Sequence, residues 1–411
     1  MHIELVTVGT ELLLGFTVDT NSAWIGTALS AHGVHIQRRT TVPDSPDAIR
    51  TAVDEALTRT RFVLTTGGLG PTRDDITRNV VAELLQMPLQ FDDAIWAMLT
   101  ERWARLGRPL VESNRSQAMV PRGGTVLPNH WGSAPGLWLE SARGVVVMLP
   151  GVPNEMRQLM EHEVLPRLAS RGDGSVIRSA TVRTSGIGES ALAEQIAELE
   201  DGLAPLTLAY LPGVAGVDLR VTAWGMESAA ADALLGAASA RLHEAIGSHA
   251  WGNGEDDLAE LLLAKLRRGG QTLAVAESCT GGLLGGRLTE IAGSSDVFLG
   301  GVLSYSYESK SELLGVPAQE ISVRGAVSQE VAEAMVLGVS RRLETTTAVS
   351  ITGIAGPGGG TPEKPVGTVW IATLVDGLVE SRRMQFSGNR SEVRARAVQA
   401  ALFAVYSRLS S

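Results

Sequence analysis

The pattern that most restricts this chain is an apolar run that ends in a glycine-bearing loop and passes directly into sequence with helical spacing. HIELVTV (2–8) enters GTELLLG, after which Asn21 to His32 places apolar residues at helical intervals. A helical stretch from Pro46 to Thr58 precedes RFVLT (61–65), which enters TGGLGPTRDDIT, and QTLAVA (271–276) enters ESCTGGLLGGRL. Strands alternating with helices in this way imply a parallel sheet, with ligand loops at the carboxyl ends of its strands. At about 150 residues per domain, 411 residues predict two or three domains.

Further strands are expected at Leu137 to Leu139 and Gly144 to Met148, the second ending in the Pro-Gly-Val-Pro turn at 150–153, where Asn154 is placed to cap a helix. The turn-rich RGDGS at Arg171 to Ser175 closes a first α/β domain, 1–170. VIRSATVRT and VDLRVTAW then read as strands, with helices at Glu189 to Leu199 and Ser228 to Ile246, giving a small α+β domain over 171–252. Asn253-Gly254 opens a second α/β domain, 253–411. The expected fold is α/β: two three-layer α/β domains joined by a small α+β domain.

Composition narrows the function. Glycine supplies 46 of the 411 residues and aromatics only 4%, so close backbone approach is favoured and stacking platforms are scarce. Lys plus Arg is 35 against 45 Asp plus Glu, a net charge of -10, and no basic run offers a polyanion footprint, which makes nucleic acid an unlikely partner. The single cysteine, Cys279, excludes an internal disulfide and suits a reducing cytosol. The N-terminus lacks a basic segment followed by a cleavable apolar core, and uncharged stretches such as Thr345 to Pro362 are broken by Gly and Pro. A cytoplasmic protein without membrane spans is expected.

Two loops carry candidate chemistry. In the first, Gly67, Gly68 and Gly70 follow a strand, so backbone N–H groups have room to approach a phosphate. Asp74 and Asp75 at its far end are either oxygen ligands for a hard divalent cation or caps of a helix near Ile76. Glu11 either faces the same crevice or is a solvated loop carboxylate. In the second, Ser278 sits at a strand-to-helix turn, and Lys310 in SYSYESK is either a desolvated base or a surface lysine opposite Glu308 or Glu312. No histidine lies in AESCTGG, SYSYESK or SITGIAGPGGG, so Ser278 and Lys310 are the simplest nucleophile and base there. Cys279 is the rival nucleophile.

GTELLLG, NSAWIGTAL, TTGGLGPTRDDIT and LPGVPNEM resemble the molybdopterin-binding, MoaB/MogA-like domain of the CinA family (competence and damage inducible) over about residues 1–170. The resemblance implies metal-dependent hydrolysis of ADP-ribose there, with Asp75 followed by Thr77 at the functional DxT position. Asn114, Asn129 and Glu155 fall in family segments, which implies that they complete the pocket, with turn and cap roles as the alternative for the two asparagines. AESCTGG, SYSYESK and ITGIAGPGGG resemble the family's C-terminal domain, similar to nicotinamide mononucleotide (NMN) deamidase, over about 255–411. By that resemblance Ser278 is the nucleophile and Lys310 its base, Ser295, Tyr305, Thr352 and Gly353 line the site, and Arg390 binds the substrate phosphate, with Arg394 as its competitor. The deamidase site needs no cofactor. The middle segment resembles a KH-like module without a GXXG loop between helices, and is expected to be a spacer or dimerisation element.

The resulting expectation is a cytoplasmic, homodimeric enzyme that acts on NMN and on ADP-ribose, the latter with a divalent metal. The competing expectation is a non-enzymatic adaptor that binds a recombinase.

Overall fold

In the computed structural model, residues 1–171 and 174–409 are described. Gly172 and Asp173, inside the turn expected at 171–175, lie outside the described residues, as do Ser410 and Ser411.

The first region contains β1 (His2–Val8), β2 (His35–Val42), β3 (Phe62–Thr66), β4 (Leu89–Phe91), β5 (Met119–Pro121), β6 (Thr125–Leu127), β7 (Gly136–Ser141) and β8 (Gly144–Leu149). Six of these form one sheet in the order β2-β1-β3-β8-β7-β6, and β4 pairs with β5 separately. The sheet is parallel from β2 to β8, as the strand–helix alternation predicts, but β7 and β6 run antiparallel. Only Ala142 and Arg143 join β7 to β8, and so short a link makes a hairpin rather than a crossover.

Alternation along the strands feeds two cores. Ile3, Leu5 and Leu64 pack with Ile25, Leu29 and Met156 on one face. Val6, Val8 and Val63 pack with Ile49, Val53 and Val81 on the other, so helices cover both faces in three layers. The helix after β8 starts at Pro153 with Val152 at its N-cap, so Asn154 stands inside the first turn instead of capping it. Proline suits that first position because its missing N–H would be unpaired there in any case.

The middle sheet has β9 (Val176–Thr184), β10 (Thr207–Pro212), β11 (Val217–Met226) and β12 (Ala250–Asn253) in the order β10-β11-β9-β12, with helices at Glu189–Asp201 and Ser228–Ile246. Gly213-Val214-Ala215-Gly216 has GXXG spacing, yet it is the hairpin loop between β10 and β11, closed by Gly213 N–H donating to Gly216 O at 2.8 Å.

The last region has β13 (Leu273–Glu277), β14 (Phe298–Leu303), β15 (Thr347–Gly353), β16 (Thr368–Val375) and β17 (Leu378–Gln385), ordered β14-β13-β15-β16-β17. β13 is parallel to both neighbours, while β16 and β17 are antiparallel. Leu273, Val275 and Ile351 meet Leu262, Leu266 and Ala401 from the helices Leu258–Arg268 and Arg390–Arg408. On the opposite face Ala274, Ala276 and Ala348 meet Val331, Met335 and Val339 of the helix Gln329–Leu343.

The chain divides into two compact units, Met1–Arg178 with Ala223–Leu234, and Ser179–Thr222 with Leu235–Ser411. Among the described residues no helix is long and apolar enough to cross a membrane.

Candidate active site

β13 is apolar until its last residue, Glu277, which is only 1% exposed. A buried carboxylate is costly unless donors surround it. Here Oε2 accepts from the N–H groups of Gly282 and Leu284, each at 3.1 Å, and Oε1 accepts from Gly285 at 2.8 Å. The chain can curl back over its own strand end because Gly281 and Gly282 take φ of 61° and 94°. The N–H groups of Cys279 and Thr280 donate none of the loop's hydrogen bonds.

Within this curl Ser278 donates its N–H to Ile351 O at 3.0 Å, extending the β13–β15 pairing by one residue and fixing the direction of its side chain. Lys310 comes from the helix Tyr307–Leu314, which Ser306 caps at the end of β14. The Lys310 side chain is 1% exposed, and its Nζ lies 2.9 Å from Ser278 Oγ and 2.6 Å from Ser304 O. The surface-lysine alternative therefore fails: among the described residues no carboxylate is within ion-pair distance of Nζ. Burial pushes the Lys310 ammonium down to about 8. Roughly a tenth of it is then neutral at pH 7, against about one part in several thousand for an ordinary lysine.

Cys279 is buried in the apolar core with Leu284 and Val393, and burial pushes its thiol up to about 11. A thiol held protonated is a poor nucleophile, so the rival reading loses its chemistry. Beside the Ser278–Lys310 pair, Thr280 Oγ1 and Ser304 Oγ are fully buried without a hydrogen-bond partner. Orphaned hydroxyls are uncommon in protein interiors, and a polar ligand or a water satisfies such groups.

The two arginines do different work. Arg394 Nη2 donates to Thr280 O at 2.7 Å and braces the nucleophile loop, with its Nε unpaired. Arg390 is exposed and donates to Gly356 O at 2.7 Å and to the Tyr305 hydroxyl at 3.2 Å, joining the SYSYESK and SITGIAGPGGG loops. Tyr305 is 67% exposed and stands at the rim.

One of the expected site residues, Ser295, needs correction, and two others have local partners of their own. Thr352 is buried at the end of β15, next to the Ile351 carbonyl that accepts from Ser278, and its hydroxyl donates to Ala326 O at 2.7 Å. Gly353 is constrained by packing, since a Cβ there would stand 2.7 Å from Val369 Cγ2. Ser295 is not brought to the site. It precedes β14, whose first residues pair with the start of β13, whereas Ser278 follows the end of β13. Five strand residues at about 3.3 Å each separate the two ends.

In the first region the glycines are sterically required. A Cβ would stand 2.2 Å from Val8 O at Gly67, 2.1 Å from Thr77 Oγ1 at Gly68, and 2.5 Å from Asp75 Oδ2 at Gly70. Asp75 neither caps the following helix nor points outward: its Oδ2 accepts from the Thr72 N–H at 2.9 Å and from the Thr72 hydroxyl. Asp74 is exposed in the same loop. Glu11 is in a separate crevice of about 120 Å³ with Asn21, Gly67 and Gly151 at the carboxyl ends of β1, β3 and β8. These three carboxylates do not converge on one point, and among the described residues no group of three or more His, Cys, Asp or Glu side chains forms a ligand set. The present residues therefore do not fit the expected metal.

Asn129 and Glu155 meet. Asn129 Nδ2 donates to Glu155 Oε2 at 2.5 Å and to Ala134 O at 2.8 Å, while its Oδ1 accepts from the N–H groups of Trp131 and Gly132. Asn114 is likewise spent on Val111 N–H and Gln117. Both asparagines thus make local turn hydrogen bonds.

Three family models match in succession: "Probable molybdopterin binding domain" over residues 4–170, "Damage-inducible protein CinA KH domain" over 179–252 and "CinA C-terminal domain" over 255–409. A CinA-like protein of Gemmatimonas aurantiaca is 53% identical over 406 residues, covering 98% of this chain and 95% of its own. The chain belongs to the CinA family. A CinA-like protein of Salinibacter ruber is 43% identical over 393 residues, 95% of each chain. Among solved structures, a competence/damage inducible protein from Agrobacterium tumefaciens is 42% identical with a TM-score of 0.35, covering 36% of this chain and 92% of that one.

Two residues of this CinA chain escaped the sequence reading. Glu277 carried a signal, a lone carboxylate closing an otherwise apolar strand, which must find buried donors. Ser304 carried none, because its part is played by a main-chain oxygen that holds Lys310.

Proposed function

We propose that the C-terminal domain is an amidohydrolase that converts NMN to nicotinic acid mononucleotide and ammonia. The reading is carried by one observation: Lys310 is 1% exposed, without an ion-pair partner among the described residues, and its Nζ is 2.9 Å from Ser278 Oγ. In the proposed reaction Ser278 Oγ attacks the carboxamide carbon and its proton passes to neutral Lys310 Nζ. The N–H groups of Cys279 and Thr280, without a partner among the described residues, donate to the oxyanion. Lys310 then returns the proton to the leaving amine, which departs as ammonia, and water hydrolyses the Ser278 ester to release the carboxylate. Arg390, exposed between two substrate-facing loops that it joins through Gly356 O and the Tyr305 hydroxyl, takes the phosphate. A non-enzymatic adaptor has no use for an unpaired buried lysine, which is costly to keep.

For the N-terminal domain the proposal is a nucleotide-phosphate site on the loop of Gly67, Gly68 and Gly70, with ADP-ribose as the ligand that the family resemblance implies. Its support is the crevice where Gly67 and Gly151 approach from adjacent strand ends. The test is incubation of the full chain with NMN, and separately with ADP-ribose with and without divalent cations, following ammonia and AMP. Ammonia from NMN that disappears in Ser278→Ala supports the amidohydrolase. No ammonia from the wild type overturns it and favours a recombinase-binding adaptor.

A further inference from the structure

A cavity of about 630 Å³ in the second unit lies away from Ser278 and contains none of the residues assigned above. Its floor is one face of the β16–β17 ribbon, where Ile371 pairs with Arg382 and Val369 with Met384. One wall is a stripe of the helix Arg390–Arg408, with Arg396, Ala400 and Phe403 at helical spacing. The roof consists of two glycine loops of the middle sheet, Ser185–Gly188 and Pro212–Val217. Gly186, at φ +76°, lies so close that a Cβ would stand 3.0 Å from the Phe403 ring, so the cavity's shape is fixed by that glycine.

The charges of this cavity are unbalanced. Arg408 is satisfied by Glu380, Thr373 and Leu378 O. Arg382 and Arg396 have no carboxylate or carbonyl partner among the described residues, and Arg396 Nε is buried and unpaired. Glu189 is the remaining acid, placed in the first turn of its own helix, where the macrodipole already stabilises it. His249 has its Nδ1 against Ser185 O at 3.1 Å, which leaves Nε2 for a ligand. Two guanidinium groups without partners beside Phe403, Met384 and Ile371 call for a body that is flat and apolar with an anion at one end.

We propose that this cavity binds a small aromatic anion, a ring system carrying a carboxylate or phosphate, with Arg396 and Arg382 on the anion and Phe403 against the ring. The proposal is independent of the amidohydrolase reading. It is tested by titrating the full chain calorimetrically with 1-naphthoate and with phenyl phosphate, which separate the carboxylate and phosphate forms of the ligand. Binding of at least one probe is expected, weakened about tenfold in Arg396→Gln and in the more exposed Arg382→Gln, and unchanged in Arg390→Gln. The proposal is overturned if neither probe binds in the low millimolar range, if both arginine variants bind as the wild type does, or if Arg390→Gln alone removes the binding.

Discussion

The loops TGGLGP and ESCTGG look alike in sequence: each follows a strand of a parallel pair, each contains glycines that nothing else replaces, and each has a carboxylate close by. They differ in where that carboxylate is spent. Asp75 closes its own loop through Thr72, while Thr77 Oγ1 and Arg78 Nε beside it stay buried without a partner. Glu277 gathers three N–H groups from the far side of its loop, which leaves Ser278 and Lys310 facing each other with no counter-charge. A glycine loop is thus a shape, and chemistry arises where an ionisable group is buried and left unneutralised.

That contrast is broken most severely at Ser278. Ser278→Ala is expected to lower kcat/KM for NMN by on the order of a thousandfold or more, whereas Asp75→Ala leaves it within about twofold, since the two loops lie on separate cores. Steady-state ammonia release from both variants decides this, and equal losses would show that the loops are not independent. Next in size is Glu277→Gln, which keeps the volume but replaces a charged acceptor of three N–H groups by a half-donor. A fall of about 10- to 100-fold in kcat with little change in KM is expected, because the nucleophile is displaced while the Arg390 loop is untouched. A loss confined to KM would assign Glu277 to binding instead.

A subtler expectation concerns stability. Lys310 is held near 8 in the folded chain and near 10.5 when unfolded, so the unfolded state binds more protons between those values, and stability rises with pH across that window. Below pH 8 the full cost is present, about 3 kcal/mol for a shift of this size. Lys310→Met removes that cost but leaves Ser304 O and Ser278 Oγ without a donor, at roughly 1–3 kcal/mol. Urea denaturation should therefore show the variant gaining on the wild type at pH 7 relative to pH 10. A difference independent of pH would contradict the desolvated lysine. The smallest effect is expected for Cys279→Ala, whose activity should stay within about threefold, since the thiol only fills core volume.

Much of this was legible beforehand. The strand HIELVTV and the helix Ser228–Ile246 match their expected limits because continuous apolar runs and helical periodicity are strong local signals. The edge strand His35–Val42 was not foreseen, since HIQRRTTV is largely polar and only its pairing with β1 makes it a strand. Ser278 and Lys310 stood out by chemistry, but whether Lys310 was a base or a surface charge depended on burial contributed by distant segments. Ser295 was misplaced for the same reason: a motif gives proximity in sequence, and the end of the sheet at which a residue stands cannot be read from it.

The central claim, that burial makes Lys310 a base for Ser278, is tested most directly by the pH dependence of kcat/KM for NMN in the wild type and in Lys310→Arg. The account predicts a rate that rises through an apparent pKa of about 8, because the protonated amine cannot accept the serine proton, and the arginine variant should be nearly inactive across the range. A flat profile from pH 6 to about 9, or an arginine variant with near-normal kcat, would contradict it and make Lys310 a structural charge.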